Sequence, residues 1–376
     1  MVHRQLNLPP PSLRDTTMST PTQQKALFLQ AKRGDFAVGT REVPKPGPGD
    51  ILVKNTAVGI NALEWKIQAF GIFVENYPAI LGLDAAGVVE AVGEGVTSFS
   101  KGDRVLYAGF FENDHAAYQE YTLTSADLAA KVRLGTIDLV AAEAESWEQI
   151  PDNISFDQAA TVPLGIATAG NGLYHPLGPG KFVAPWLGGK GKYSGTPLVV
   201  IGGSSVVGSF GTRAFSLSRS DVIRSPSFVS PTAIQLAKLS GFSPIITTAS
   251  LKNAGLLKSY GATHVLDRNL SADALRTEVT KLTGGPLATV FDAVGLPDNQ
   301  AAGYGLLAPE GKLLTVLPES VKETSEGRTV TQVNGLVQLP HNIEAGKVLY
   351  LAIPGLLKSG EIKVSRDCQF CKKSYD

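Results

Sequence analysis

Cysteine is almost absent: 376 residues carry two, Cys368 and Cys371. That scarcity excludes a disulfide framework and leaves little for structural zinc. The CQFC they form has a redox-dithiol spacing but lacks the strand-to-helix setting that would activate it. An excess of one charge is also missing, since Lys plus Arg and Asp plus Glu both number 34. No field therefore favours nucleic acid or an anionic membrane. No apolar run approaches the roughly 20 residues that span a bilayer, and the N-terminus has no apolar secretory core. The chain reads as soluble and cytoplasmic, with no nucleic-acid or membrane partner. The histidines number five; His115, His175, His264 and His341 are isolated and fit no ligand spacing, although the loop holding His115 could line a cleft. What remains is 43% hydrophobic, enough for two domains with sizeable cores.

Residues 1–23 form a polar, proline-bearing segment, with Pro9, Pro10 and Pro11 in series, read as a disordered leader. From residue 24 to about Tyr121, short apolar runs (25–29, 51–54, 86–92, 104–106) alternate with turn sequences such as PKPGPGD and SKGD. These are the marks of a β-rich domain. Beyond Ser155 the pattern becomes alternating strands and helices. Strand cores are predicted at Ile201, 245–248, 264–267, 289–293 and 313–316, which is the grammar of a doubly wound parallel sheet.

Thr196 to Gly208, TPLVVIGGSSVVG, is an apolar strand running into a glycine-rich turn. In a βαβ unit such a turn lets the backbone approach a dinucleotide pyrophosphate, held by the N–H groups of the following helix. Gly202, Gly203, Ser204, Ser205, Val206 and Gly208 are the predicted phosphate contacts. The expected helix, AIQLAKLSGF, starts only at Ala233, after an interruption.

The ordered series GINALEWKIQ, LGLDAAGVVEAVGEGV, GDRV, AYQEY, QAATVPLGIATA, VVIGGSSVVG, AIQLAKLSGF and YGATHVLD resembles the medium-chain dehydrogenase/reductase superfamily. The likeness is to its zinc-independent quinone-reductase and trans-acting enoyl-reductase-like branch, of fungal type. The resemblance implies an α/β protein with a GroES-like β-rich catalytic domain (24–160), a Rossmann NADP-binding domain (161–330) and a return to the catalytic domain (331–376). Zinc-dependent members place a cysteine and a His-Glu pair where this chain has Asn61, Leu83 and Asp84. Leucine cannot ligate and asparagine replaces thiolate poorly, so no metal is expected.

Cofactor choice is read after the second Rossmann strand. ITTASLKN (246–253) lacks the acid that binds the ribose hydroxyls in NAD enzymes and offers Ser250 and Lys252 to a 2′-phosphate. NADP(H) is expected, with Tyr260 a third contact by family analogy; Lys252 reads equally as a solvated helix-start lysine. Hydride transfer to a conjugated double bond develops an enolate, which needs hydrogen-bond donors. The resemblance offers Asn61, Lys66 and Thr161. The alternatives are a surface lysine for Lys66 and a hydroxyl bonding its own backbone for Thr161. Glu64 and Trp65 are read as packing and solvated face.

The implied activity is reduction of an enone, enoyl thioester or quinone by a monomer or homodimer, with a polyketide synthase as a partner implied for enzymes acting in trans. An alcohol or carbonyl oxidoreductase, and a non-catalytic or misfolded variant, stay open. Three stretches depart from the family: 132–149, 211–232 and the tail from 364. Val132 and Val364 codons can begin with a splice donor and Gln149 can encode an acceptor, and the ends of 211–232 admit the same reading. The three are read as translated introns. Within the second, Ser230–Pro231 is a cap and first-turn pair where a displaced helix could start.

Overall fold

The computed structural model describes residues 20–132, 154–204 and 229–364. The N-terminal part holds β1 (Gln23–Leu29), β2 (Phe36–Glu42), β3 (Asp50–Gly59), α1 (Ala62–Phe70), β4 (Ala79–Ile80), β5 (Asp84–Val92), β6 (Arg104–Ala108), β7 (Tyr121–Ser125) and β8 (Ala129–Val132). β2-β1-β4 form a three-stranded sheet and β7-β3-β5-β6-β8 a five-stranded antiparallel one. The β3–β5 ladder shifts register twice, between Leu52 and Val53 and between Asn55 and Ala57. Such bulges bend a strand and sharpen its twist, curling the sheet into a half-barrel. The β-rich part thus runs past Tyr121, through β7 and β8. The edge strand β2, FAVGTRE, is largely exposed and carries no apolar run that would announce it.

Next come α2 (Phe156–Ala159), α3 (Pro163–Tyr174), β9 (Leu198–Ile201), α4 (Val229–Ser240), β10 (Ile245–Ala249), α5 (Ala254–Tyr260), β11 (His264–Asp267), α6 (Ala272–Thr283), β12 (Leu287–Asp292), α7 (Pro297–Tyr304), β13 (Leu307–Thr315), β14 (Thr329–Gln332) and α8 (Ile343–Lys358). The parallel sheet has the order β11-β10-β9-β12-β13-β14. β9, LVVI, is buried at every residue, as expected of a strand covered on both faces. The chain reverses its winding between β9 and β12, and open α/β sheets bind ligands at that switch point.

One core joins the two halves. It runs from Ala86 and Leu106 through Ile166 and Leu173 of α3 and Val200 of β9 to Ile234 of α4 and Ile353 of α8. Gly59, closing β3, lets the chain after α2 approach: a Cβ there would stand 2.7 Å from the Ala160 carbonyl oxygen and 2.8 Å from the Asp84 Cβ. Bulk at that position would push the halves apart. No helix among the described residues is long and apolar enough to cross a membrane.

α4 differs from expectation at its start. Its described part is Val229–Ser240, so Ser230 and Pro231 lie within the helix rather than at its N-cap and N1 positions. Val229 and Thr232 are buried; the last residues of the 211–232 stretch are thus folded into the helix, because their side chains complete its packed face. The leader as far as Thr17, positions 133–149, most of 211–232, and Cys368 and Cys371 lie outside the described residues.

Candidate functional site

The glycine turn begins as the sequence predicts. Gly202 has φ 80°, a left-handed conformation that glycine adopts without steric cost. A Cβ on Gly203 would stand 2.1 Å from Thr247 Oγ1, so the turn is pressed against β10. The donors are used differently than expected. The Gly202 N–H donates to Thr248 Oγ1 at 2.9 Å, and the Gly203 N–H donates to the Thr248 carbonyl at 2.8 Å. Asn253 Nδ2 donates to Ser204 Oγ at 2.8 Å, tying the turn to the segment after β10. Ser205, Val206 and Gly208 lie outside the described residues.

That segment carries Ser250, half-buried, and Lys252, exposed. Tyr260 is at the far end of α5, and its ring packs into the core. Beside the turn, a cavity of about 530 Å³ is lined by Ile201, Thr248, Asp267, Arg268 and Ser271. It opens at the carboxyl ends of β9, β10 and β11. At the switch point Asp292 is fully buried. One of its oxygens accepts the Val294 and Gly295 N–H groups at 2.9 and 3.0 Å, and the other lacks a partner. Burial raises its pKa to about 6.

The second cluster sits where the two halves meet. Asn61 is the N-cap of α1 and forms a capping box with Glu64, whose Oε2 accepts the Asn61 N–H at 2.7 Å. Glu64 Oε1 accepts the Leu83 N–H at 3.1 Å. The sequence reading of Glu64 as packing or solvated face is corrected on one point: it has no exposed surface. It is drawn in because two backbone donors converge on it. Burial, with Asp84 nearby, raises its pKa to about 8.

Asp84 completes the cluster. Its Oδ2 accepts from Asn61 Nδ2 at 3.0 Å, and its Oδ1 accepts the Leu164 N–H at 2.6 Å. Leu164 is in the first turn of α3, whose own N-cap, Val162, has no side-chain acceptor; Asp84 caps that helix from the other half of the chain. Burial raises the Asp84 pKa to about 7. Tyr350 of α8 is also buried, its pKa pushed up by burial and by Asp84 and held back by the Ala108 backbone.

Of the other predicted residues, Thr161 is buried and its Oγ1 donates to the Gln158 carbonyl at 2.7 Å. That is the backbone-bonded alternative. Lys66 lies on α1, with its pKa lowered by burial. Its Nζ is 5.9 Å from the Trp65 ring centre, and it has no ion pair among the described residues. α1 leads into an apolar rim of Phe70, Ile72 and Phe73, all exposed, with Phe73 stacked on Phe111 at 5.8 Å. His175 is a satisfied structural histidine: its Nε2 is 2.8 Å from the His341 carbonyl oxygen and its Nδ1 accepts the Leu177 N–H.

Residues 47–136 match the family described as alcohol dehydrogenase GroES-like domain, and residues 229–326 match zinc-binding dehydrogenase. The chain is 32% identical to trans-enoyl reductase TOXD of Cochliobolus carbonum over 279 residues, covering 73% of this chain and 77% of that protein. The chain belongs to the medium-chain dehydrogenase/reductase superfamily. Within it, the relatives mark the fungal enoyl-reductase-like branch. Dehydrogenase orsE of Emericella nidulans is 29% identical, covering 93% of this chain and 95% of the relative. Among solved structures, a Pseudomonas syringae quinone oxidoreductase shares the fold with a TM-score of 0.63, 22% identity and 90% of each chain covered. A mycobacterial protein complexed with NADPH gives 0.64, with 24% identity and 91% and 90% covered.

The chain is therefore a medium-chain oxidoreductase of the enoyl-reductase-like kind, with the Rossmann-type sheet on which that superfamily holds its cofactor. The residues present fit such a cofactor: Gly202, at positive φ, and Gly203, pressed against Thr247, turn the chain tightly at the sheet's switch point, beside a cavity. They do not fit zinc. Leu83 is a core side chain, and Asn61 turns an N–H rather than a lone pair toward Asp84. Among the described residues no three His, Cys, Asp or Glu side chains converge as a metal site. Sequence reading missed Thr248, Asn253, Asp292 and the link from Asp84 to Leu164. These had no local signal, whereas the capping bond of Glu64 did, as the third residue after an Asn cap.

Proposed function

We propose that this reductase uses NADPH, without zinc, to reduce an activated carbon–carbon double bond in an enoyl thioester, an enone or a quinone. The observation that carries the reading is Asn61, whose amide meets Asp84 where the two halves join, together with Lys66 on the same helix, whose ammonium has no ion pair among the described residues; neither is a metal ligand. The relatives named trans-enoyl reductases support the same reaction class. When bound, the cofactor supplies a hydride to the acceptor carbon. Gly202, Gly203 and Ser204 would shape the turn facing its pyrophosphate, and Ser250 and Lys252 would meet the 2′-phosphate. No carboxylate stands in ITTASLKN to repel that phosphate, and this absence supports NADPH over NADH.

Lys66 and Asn61 then hold the substrate carbonyl oxygen and stabilise the enolate as it forms, an arrangement worth far more in a water-poor cleft than in solvent. Thr161 can join them only by releasing the Gln158 carbonyl. The rim of Phe70, Ile72 and Phe73 suits an apolar acyl chain better than a small polar aldehyde. Carbonyl reduction of the alcohol-dehydrogenase kind is disfavoured by Leu83, which removes a ligand from the Lewis acid it would use. A polyketide synthase is the partner this reading proposes for a thioester substrate. The test is calorimetric titration with NADPH and NADH, followed by NADPH oxidation with a 2-enoyl thioester, a quinone and an aldehyde. Tighter NADPH binding and turnover of the enoyl thioester or quinone are expected; turnover confined to the aldehyde would overturn the reading.

A further inference from the structure

We infer that Asp84 is a positioning residue: it locks the Asn61 amide so that a single N–H is left for the substrate oxygen, and it pins that amide to the helix that opens the nucleotide-binding half. The inference rests on the reading of Asn61 as an oxyanion donor. The side-chain amide of Asn61 has one carbonyl oxygen and two N–H groups. The amide is oriented by Asp84, which takes its Nδ2; the Asn61 oxygen then lies on the side of the Glu64 backbone N–H, in the capping-box arrangement but without a side-chain cap hydrogen bond. Asp84 Oδ2 takes one N–H at 3.0 Å. The other N–H has no partner among the described residues, and Asn61 is half-buried, so its open side is where a ligand can reach.

Asp84 is itself fixed from the far side by the Leu164 N–H at 2.6 Å. Because that donor is main chain in the first turn of α3, the amide is referenced to the helix rather than to a mobile side chain. Glu64 fixes the same unit from behind, accepting the N–H groups of both Asn61 and Leu83. Each partner of the Asp84 carboxylate is a donor, so only an acceptor with two free oxygens serves both. An amide at position 84 must turn its NH2 toward either the Leu164 N–H or the Asn61 amide. In the second case Asn61 can reaccommodate only by flipping, which sets its NH2 against the Glu64 N–H.

That asymmetry defines the experiment. Asp84→Asn is expected to lower kcat for the enoyl thioester by about tenfold or more, as for loss of a placed donor, with NADPH affinity within about twofold of the parent. The exchanged pair Asn61→Asp with Asp84→Asn satisfies every bond in the link, because the amide at 84 then accepts from Leu164 and donates to the acid at 61, itself a good N-cap. It offers the substrate no N–H. The pair should regain thermal stability relative to Asp84→Asn, yet not kcat. Recovery of kcat in the pair, or an Asp84→Asn enzyme within about twofold of the parent, overturns the inference.

A second measurement needs no turnover. In protein labelled with 15N-asparagine, and assigned with Asn61→Ala, the two Asn61 side-chain protons should differ in exchange with water, one protected and one open. The difference should vanish in Asp84→Asn. Equal exchange in the parent overturns the positioning role. A parent that shows the protected proton and binds NADPH but reduces neither enoyl thioester nor quinone refutes the proposed function and leaves the positioning of Asn61 upheld.

Discussion

Gly203→Ala tests whether the bare turn is required by contact with β10. Gly203 does not have the positive φ of its neighbour Gly202, so alanine meets no backbone penalty. The obstacle is Thr247: the new methyl would stand 2.1 Å from its Oγ1, 3.0 Å from its Cγ2 and 3.1 Å from its Cβ. Thr247 is fully buried, and its Oγ1 donates to the Val200 carbonyl at 2.7 Å. Relief requires the hydroxyl to leave that carbonyl. Overpacking costs about 1–3 kcal/mol and the lost hydrogen bond about 1 kcal/mol, so a destabilisation of about 2–4 kcal/mol is expected by urea titration. Thr247→Ala removes the two outer atoms and keeps only the 3.1 Å contact. In that background the cost of Gly203→Ala should fall below about 1 kcal/mol, a coupling of the size neighbouring residues show. An equal cost in both backgrounds would refute the steric reasoning.

Lys66→Met should lower kcat with an enoyl thioester by about a hundredfold, as loss of an oxyanion donor does, with stability nearly unchanged; kinetics beside a thermal melt checks it. Lys252→Ala should weaken NADPH by about tenfold and leave NADH unchanged, since a single charge-assisted contact to the 2′-phosphate is removed; calorimetry with both cofactors decides. Glu64 and Asp84 have pKa values raised to about 8 and about 7, so the folded state binds more protons than the unfolded one between about pH 4 and pH 8. Stability should fall as pH rises through that window, by on the order of 5 kcal/mol between pH 5.5 and 8, and a urea midpoint that rises instead contradicts the burial of these acids. Deleting 211–232 should tighten NADPH binding by about tenfold, measured by calorimetry, and unchanged affinity would show that the stretch does not disturb the turn.

The parallel sheet was legible where its strands are covered on both faces: the predicted cores at Ile201 and 245–248 fall within β9 and β10, which are buried at every residue. β14, TVTQ, was not, since it lies at the sheet edge with no buried residue. The contrast is one of burial, which writes hydrophobicity into a strand only where both faces are covered. The site divides the same way. Glycine at 202 and 203 is demanded by backbone geometry and shows as a motif, whereas Asp84 meets Leu164 across 80 positions, a pairing only the tertiary fold creates.

The turn also carries less of the cofactor than its motif suggests. Thr248 engages the N–H groups of both Gly202 and Gly203, so these glycines supply shape and closeness rather than free donors. Ser204, held by Asn253, sets the direction in which the chain leaves the sheet. A phosphate-binding turn normally passes straight into its helix, whose first N–H groups hold the anion. The next helix among the described residues is α4, Val229–Ser240. The anchoring of the turn and its capacity to hold an anion are therefore distinct properties: Gly203→Ala reports on the first and deletion of 211–232 on the second.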